Sequence, residues 1–101
     1  METINVIFYG YSDDQDYVND LSVNIADRFN IDYPDSNMNI EIDEDEEEFS
    51  ITFEVNLNNI ENADTFLCEE ICQEHEVYCK IVDNQSSKEY FFDEEDEWIY
   101  K

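Results

Sequence analysis

Positive charge is scarce in this chain. Four Lys and Arg residues stand against 29 Asp and Glu, and the formal net charge is -25 over 101 residues. A domain of this size ordinarily carries a net charge of about 2–8 in magnitude. The excess is self-repulsion, which works against a compact state, so the charge is expected to serve a partner rather than the fold. Glycine and proline are nearly absent, at one residue each, which leaves little room for flexible linkers and points to a single domain over 1–101. No apolar run reaches transmembrane length, so no membrane association is expected. The N-terminus, METINVIFYG, begins acidic and has no small-residue cleavage site, so no secretory leader is expected there. The three cysteines are an odd number without such a leader, and free thiols in a reducing cytoplasm are the default reading. One histidine, no Gly-rich phosphate loop and no GxSxG leave catalysis without apparatus. Carboxylate pairs are too plentiful for any one of them to indicate acid–base chemistry. No cofactor is expected.

What is present argues against disorder. Hydrophobic residues make up 42% and aromatics 15%, enough apolar surface to build one core despite the charge. A halophile would also be acidic throughout. The abundance of Asn, Ile, Tyr and Phe and the scarcity of Ala and Gly instead suggest a low-GC coding sequence.

Residues 3–9, TINVIFY, read as a central strand, with Ile4, Val6 and Phe8 on one face and Ile7 and Tyr9 making the other partly apolar. After Gly10, Ser12 and Gln15 form a capping-box pattern with Ser12 as N-cap. The helix that follows carries Val18, Leu21, Ile25 and Phe29 at helical spacing. Met38, Ile40 and Ile42 alternate with polar residues, as do Phe49, Ile51, Phe53, Val55 and Leu57, so two strands are expected around the tip Asp43–Glu48. Asn58 and Asn59 are candidate caps for a second helix with Ile60, Ala63, Leu67 and Ile71, running to about His75. VYCKIVD reads as a fourth strand and KEYFF as a fifth in hairpin with it, followed by an acidic aromatic tail over 93–101. The predicted fold is α+β: an antiparallel sheet with two helices on one face, in ferredoxin-like βαββαβ order with an extra C-terminal strand.

The carboxylates are arranged as well as numerous. At 100° per residue, Asp13, Asp16, Asp20 and Asp27 fall within about 60° of one another, opposite the apolar stripe of the first helix. A solvated helix face would read similarly, but such faces ordinarily mix both signs, and this one has only Arg28. The same one-sidedness recurs in Asp43, Glu44, Asp45, Glu46, Glu47 and Glu48, in Glu69, Glu70, Glu74 and Glu76, and in Asp93, Glu94, Glu95, Asp96 and Glu97. Alternate residues on a strand lie about 6.6 Å apart and helix neighbours about 6 Å, comparable with phosphate spacing along a DNA strand. Tyr11, Tyr17, Tyr90, Trp98 and Tyr100 adjoin these acids and could stack on a partner's arginines. For Trp98, anchoring of the tail against the sheet is an equal alternative.

Two segments invite a metal reading. The tip Asp43–Glu48 lacks the spaced ligands and central Gly of an EF-hand loop. Cys68, Cys72, His75 and Cys79 could attract zinc, but their spacing matches no common zinc pattern, and buried Cys is often a small hydrophobe. No metal ligand is assigned.

Through Asp13, Asp14, Asp16 and Asp20, and through the segments 43–48, 69–76 and 93–97, the chain resembles phage-type DNA-mimic inhibitors, the anti-CRISPR and anti-restriction proteins. The likeness is one of size, charge and a small α+β plan. It implies stoichiometric inhibition of a basic nucleic-acid-binding defence protein, a CRISPR effector or a restriction-type enzyme, in the cytoplasm of a bacterial host. It also implies no direct binding to nucleic acid. CRISPR effectors hold nucleic acid in long basic channels. The alternatives are an acidic adaptor or host-takeover protein that binds a basic partner without imitating DNA, and a Cys/His metal-binding regulatory module.

Overall fold

β1 (Glu2–Gly10) forms the middle of the molecule because both of its faces carry apolar side chains. The computed structural model describes residues 2–57, 61, 63–85, 88–92 and 98–100. Their order is β1, α1 (Gln15–Asp32), β2 (Asn37–Asp43), β3 (Glu48–Leu57), α2 (Thr65–His75), β4 (Tyr78–Asp83), β5 (Glu89–Phe92) and β6 (Trp98–Tyr100). The strands form one sheet in the order β2-β3-β1-β4-β5-β6, and every neighbouring pair is antiparallel. The chain is thus α+β, with an antiparallel sheet and two helices.

Register explains why the core is continuous. Ile4, Val6 and Phe8 lie opposite Val55, Phe53 and Ile51 on β3, while Val6 and Phe8 lie opposite Ile81 and Cys79 on β4. Paired residues share a face, so three strands present one apolar patch. Val18, Leu21, Ile25 and Phe29 of α1 and Leu67, Cys68, Ile71 and Cys72 of α2 join that patch in a single buried cluster. Both helices therefore cover the same side. Phe29 is the hub, 4.4 Å between ring centroids from Phe53 and 4.8 Å from Tyr33.

Gly10 ends β1 because its register partner is Phe49. A Cβ at that position would stand 2.9 Å from the Phe49 ring. The break seen in the sequence is a close approach of backbone to an aromatic core residue.

Several local expectations need correction. The N-cap of α1 is Asp14, whose Oδ1 accepts from the N–H groups of Asp16 and Tyr17 at 3.1 and 3.2 Å. Ser12 instead accepts from the Asp14 N–H at 3.1 Å. A carboxylate satisfies two orphan donors and interacts with the positive helix end, where a hydroxyl offers only a neutral acceptor. α2 is capped by Asp64, which accepts from the Leu67 N–H at 3.0 Å. Asn58, Asn59 and Ile60 lie outside the described residues, and Ala63 precedes the helix. Met38, expected to face inward, is exposed near the outer end of the edge strand β2. The tail also differs, since residues 98–100 pair with β5 as a sixth strand.

Candidate acidic interaction surface

The β2–β3 hairpin tip is folded by its own first carboxylate. Asp43 Oδ1 accepts from the Asp45 and Glu46 N–H groups at 3.0 and 3.2 Å, an Asx-type turn that needs no glycine. Glu47 closes it with φ 53. The side chains of residues 43–48 are all exposed.

The tip does not stand alone. Asp13 and Glu44 line one cleft of about 410 Å³ with Gln15, Asn19, Ile40 and Ile42. Glu41, Asp43, Glu44 and Asp45 line an adjoining one with Ile42. Neither cleft has a Lys or Arg in its described lining. Asp13, Glu41, Asp43 and Glu44 thus come together at one end of the molecule from segments about 30 residues apart.

Glu41 was missed in the sequence reading because it lies outside the continuous acidic run. Strand parity could have found it, since Glu41 and Asp43 share the face of β2 opposite Ile40 and Ile42. Of the stripe expected on α1, Asp16, Asp20 and Asp27 lie on the helix and are exposed, within about 40° of one another. Asp13 and Asp14 precede the helix, so the stripe is shorter than expected.

The carboxylates of α2 are of a different kind. Arg28 of α1 pairs with Glu70 and, at 3.5 Å, with Glu74. Two of the carboxylates expected to face a partner are partly neutralised within the fold. Glu69 is half-buried, and Glu76 is exposed at the helix C-cap, with φ 57 in the left-handed region. Residues 93–97 lie outside the described residues, while Trp98 opens β6 opposite Phe92.

At the junction of the two helices, Asp32 meets Asp64. The Asp32 carboxyl is raised above the usual 3.8, first by a hydrogen bond with Asp64, then by loss of water and by the Asp64 charge, with Arg28 opposing. Asp32 also ends α1, where the helix dipole disfavours negative charge. A group whose folded pKa is raised contributes stability at low pH that is lost as pH rises through the folded value. Asp32→Asn keeps a hydrogen-bond donor for Asp64 at every pH. The variant is expected to melt higher than the parent at pH 7 and to lose part of the destabilisation that accompanies rising pH above the ordinary carboxylate range. Parallel thermal melts across pH check this; equal pH slopes in both proteins contradict it.

The thiols have a packing role. Cys68, Cys72 and Cys79 are buried in the core cluster. Burial, then hydrogen bonding and charge from Cys68 and Cys72, pushes the Cys79 thiol well up, which opposes the thiolate that a metal requires. Among the described residues, no group of three or more His, Cys, Asp or Glu is arranged to hold a metal ion. No described helix is long and apolar enough to cross a membrane.

Comparison with family models, curated proteins and solved structures gave no match.

The sheet face away from the helices adds aromatic rings to this acidic end. Ile7, Tyr9, Gly10, Tyr11, Lys80 and Phe91 line a cleft of about 510 Å³. Glu41, Asp43 and Glu48 belong to the same lining.

Proposed function

We propose that this chain is a non-catalytic acidic decoy, which occupies the basic nucleic-acid-binding surface of another protein and excludes DNA or RNA from it. The observation that carries the reading is the convergence of Asp13, Glu41, Asp43 and Glu44 around clefts whose described linings hold no Lys or Arg. A folded surface with that one-sided charge favours Lys and Arg groups that otherwise contact phosphates. Asp16, Asp20 and Asp27 extend it along α1. The arrangement in which β1 lies between β3 and β4 supports a ferredoxin-like plan for the first four strands, with β5 and β6 as additions. The resemblance to phage-type DNA mimics makes a CRISPR effector the first partner to test, followed by restriction-type enzymes, in a bacterial cytoplasm.

The test measures affinity for the candidate effector before and after the effector is saturated with nucleic acid. A decoy loses binding when the channel is filled, and its inhibition titrates one-to-one without turnover. Equal affinity in both states rejects mimicry and leaves an adaptor that binds beside the nucleic acid.

A further inference from the structure

We propose that the aromatic cleft on the open face of the sheet is an anchor for arginine, seating guanidinium groups of an arginine-rich segment of the partner protein. The inference rests on the reading that the partner is basic, and it assigns to one place the contacts that charge alone leaves unspecific.

The register builds the cleft row by row. Glu41 on β2, Ser50 on β3 and Tyr9 on β1 line the cleft and are successive cross-strand partners, in a row that continues to Tyr78 on β4 beside it. Neighbouring strands are about 4.8 Å apart, which places Glu41 two strand spacings from Tyr9. The next row includes Ile7, Lys80 and Phe91. A carboxylate rim thus borders a floor of rings on the side opposite the helices.

One ring is open to a ligand, and those beside it are half-buried. Tyr11 is 69% exposed and meets Tyr78 edge-on at 6.3 Å, while Tyr78 and Tyr9 lie 5.6 Å apart at an interplanar angle of 34°. One cation already uses this chemistry. Lys80 Nζ lies 5.3 Å from the Phe91 ring centroid and 3.7 Å from a Glu89 oxygen. Ring face and carboxylate together hold a positive group on this face.

Complementarity selects the occupant. The described cleft lining holds three carboxylates, Glu41, Asp43 and Glu48, against Lys80. That balance repels phosphates and attracts cations. Arginine uses both features, because its planar guanidinium stacks on an aromatic face and bonds a carboxylate in a fork, whereas lysine offers a compact point charge. The anchor therefore distinguishes arginine from lysine at equal charge.

The experiment compares nona-arginine with nona-lysine peptides binding to the full chain at physiological ionic strength. Arginine is expected to bind more tightly, by about two- to fivefold for each ring engaged. Its amide shift changes are expected to centre on Tyr9, Tyr11, Tyr78 and Lys80. Tyr11→Ser, at an exposed loop position, is expected to weaken nona-arginine more than nona-lysine and so to reduce the preference. Tyr11→Ser combined with Tyr78→Thr removes it further. Glu41→Gln with Glu48→Gln weakens both peptides. Equal affinity for the two peptides, shifts confined to α1 and α2, or a preference untouched by Tyr11→Ser overturns the anchor. None of those results touches the nucleic-acid competition that tests the decoy. Conversely, an effector that binds beside its DNA rejects the decoy while an arginine preference sensitive to Tyr11→Ser retains the anchor.

Discussion

Phe29→Ala is expected to cost about 3–5 kcal/mol and to leave much of the population unfolded at low ionic strength. Phe29 is fully buried. Its ring meets Phe53 at 4.4 Å, Tyr33 at 4.8 Å and Phe8 at 6.1 Å, so truncation removes contacts to α1's own end and to two central strands. The loss reaches α2 as well, because the Tyr33 hydroxyl accepts from the Asp64 N–H at 2.9 Å and Asp64 caps that helix. Domains are stable by only about 5–15 kcal/mol, and a net charge of -25 lowers that margin through self-repulsion. Raising salt from about 0.1 to 1 M shortens the Debye length from about 10 to 3 Å. The parent is therefore expected to melt higher in salt, and Phe29→Ala to regain helix signal in it. Circular dichroism melts at both salt concentrations measure this. A variant that melts within a few degrees of the parent contradicts the role of Phe29.

Reversing charge at the converging end is expected to slow association by about 100-fold or more at low salt, toward the 10⁵–10⁶ M⁻¹s⁻¹ of encounters without steering. The substitutions of choice are Asp13→Lys, Asp16→Lys, Glu41→Lys and Glu44→Lys. Among the described hydrogen bonds and ion pairs, none of these side chains acts as a cap or turn acceptor, unlike Asp14 and Asp43, and none pairs with Arg28, unlike Glu70 and Glu74. Because reversal relieves repulsion, the fold is expected to be as stable as the parent or more so. Stopped-flow association over a salt series separates the effects: the parent rate falls steeply as salt rises, and the variant rate falls less. Unchanged association in the quadruple variant rejects the charged surface. A silent single variant does not, because steering sums the field of many charges.

The sequence by itself determined the charge, five of the strands, the two helices and most of their faces. Alternation at Phe49, Ile51, Phe53 and Val55 and helical spacing at Val18, Leu21, Ile25 and Phe29 became buried faces, because side-chain direction follows local backbone geometry. Caps were less legible. Ser12, Asp14, Asn59 and Asp64 are all competent cap residues, and the choice among them depends on where the helix can start while its apolar stripe meets the sheet. Tertiary structure alone decided which carboxylates face outward unopposed. Arg28 reaches Glu70 and Glu74 across 42 and 46 residues, and Asp13 and Glu44 line one cleft only because the start of α1 and the hairpin lie side by side. The cross-strand row of Glu41, Ser50, Tyr9 and Tyr78 likewise exists only in the paired sheet. Periodicity is written along the chain, but charge pairing and cleft formation depend on which distant segments lie side by side, and strand register sets that.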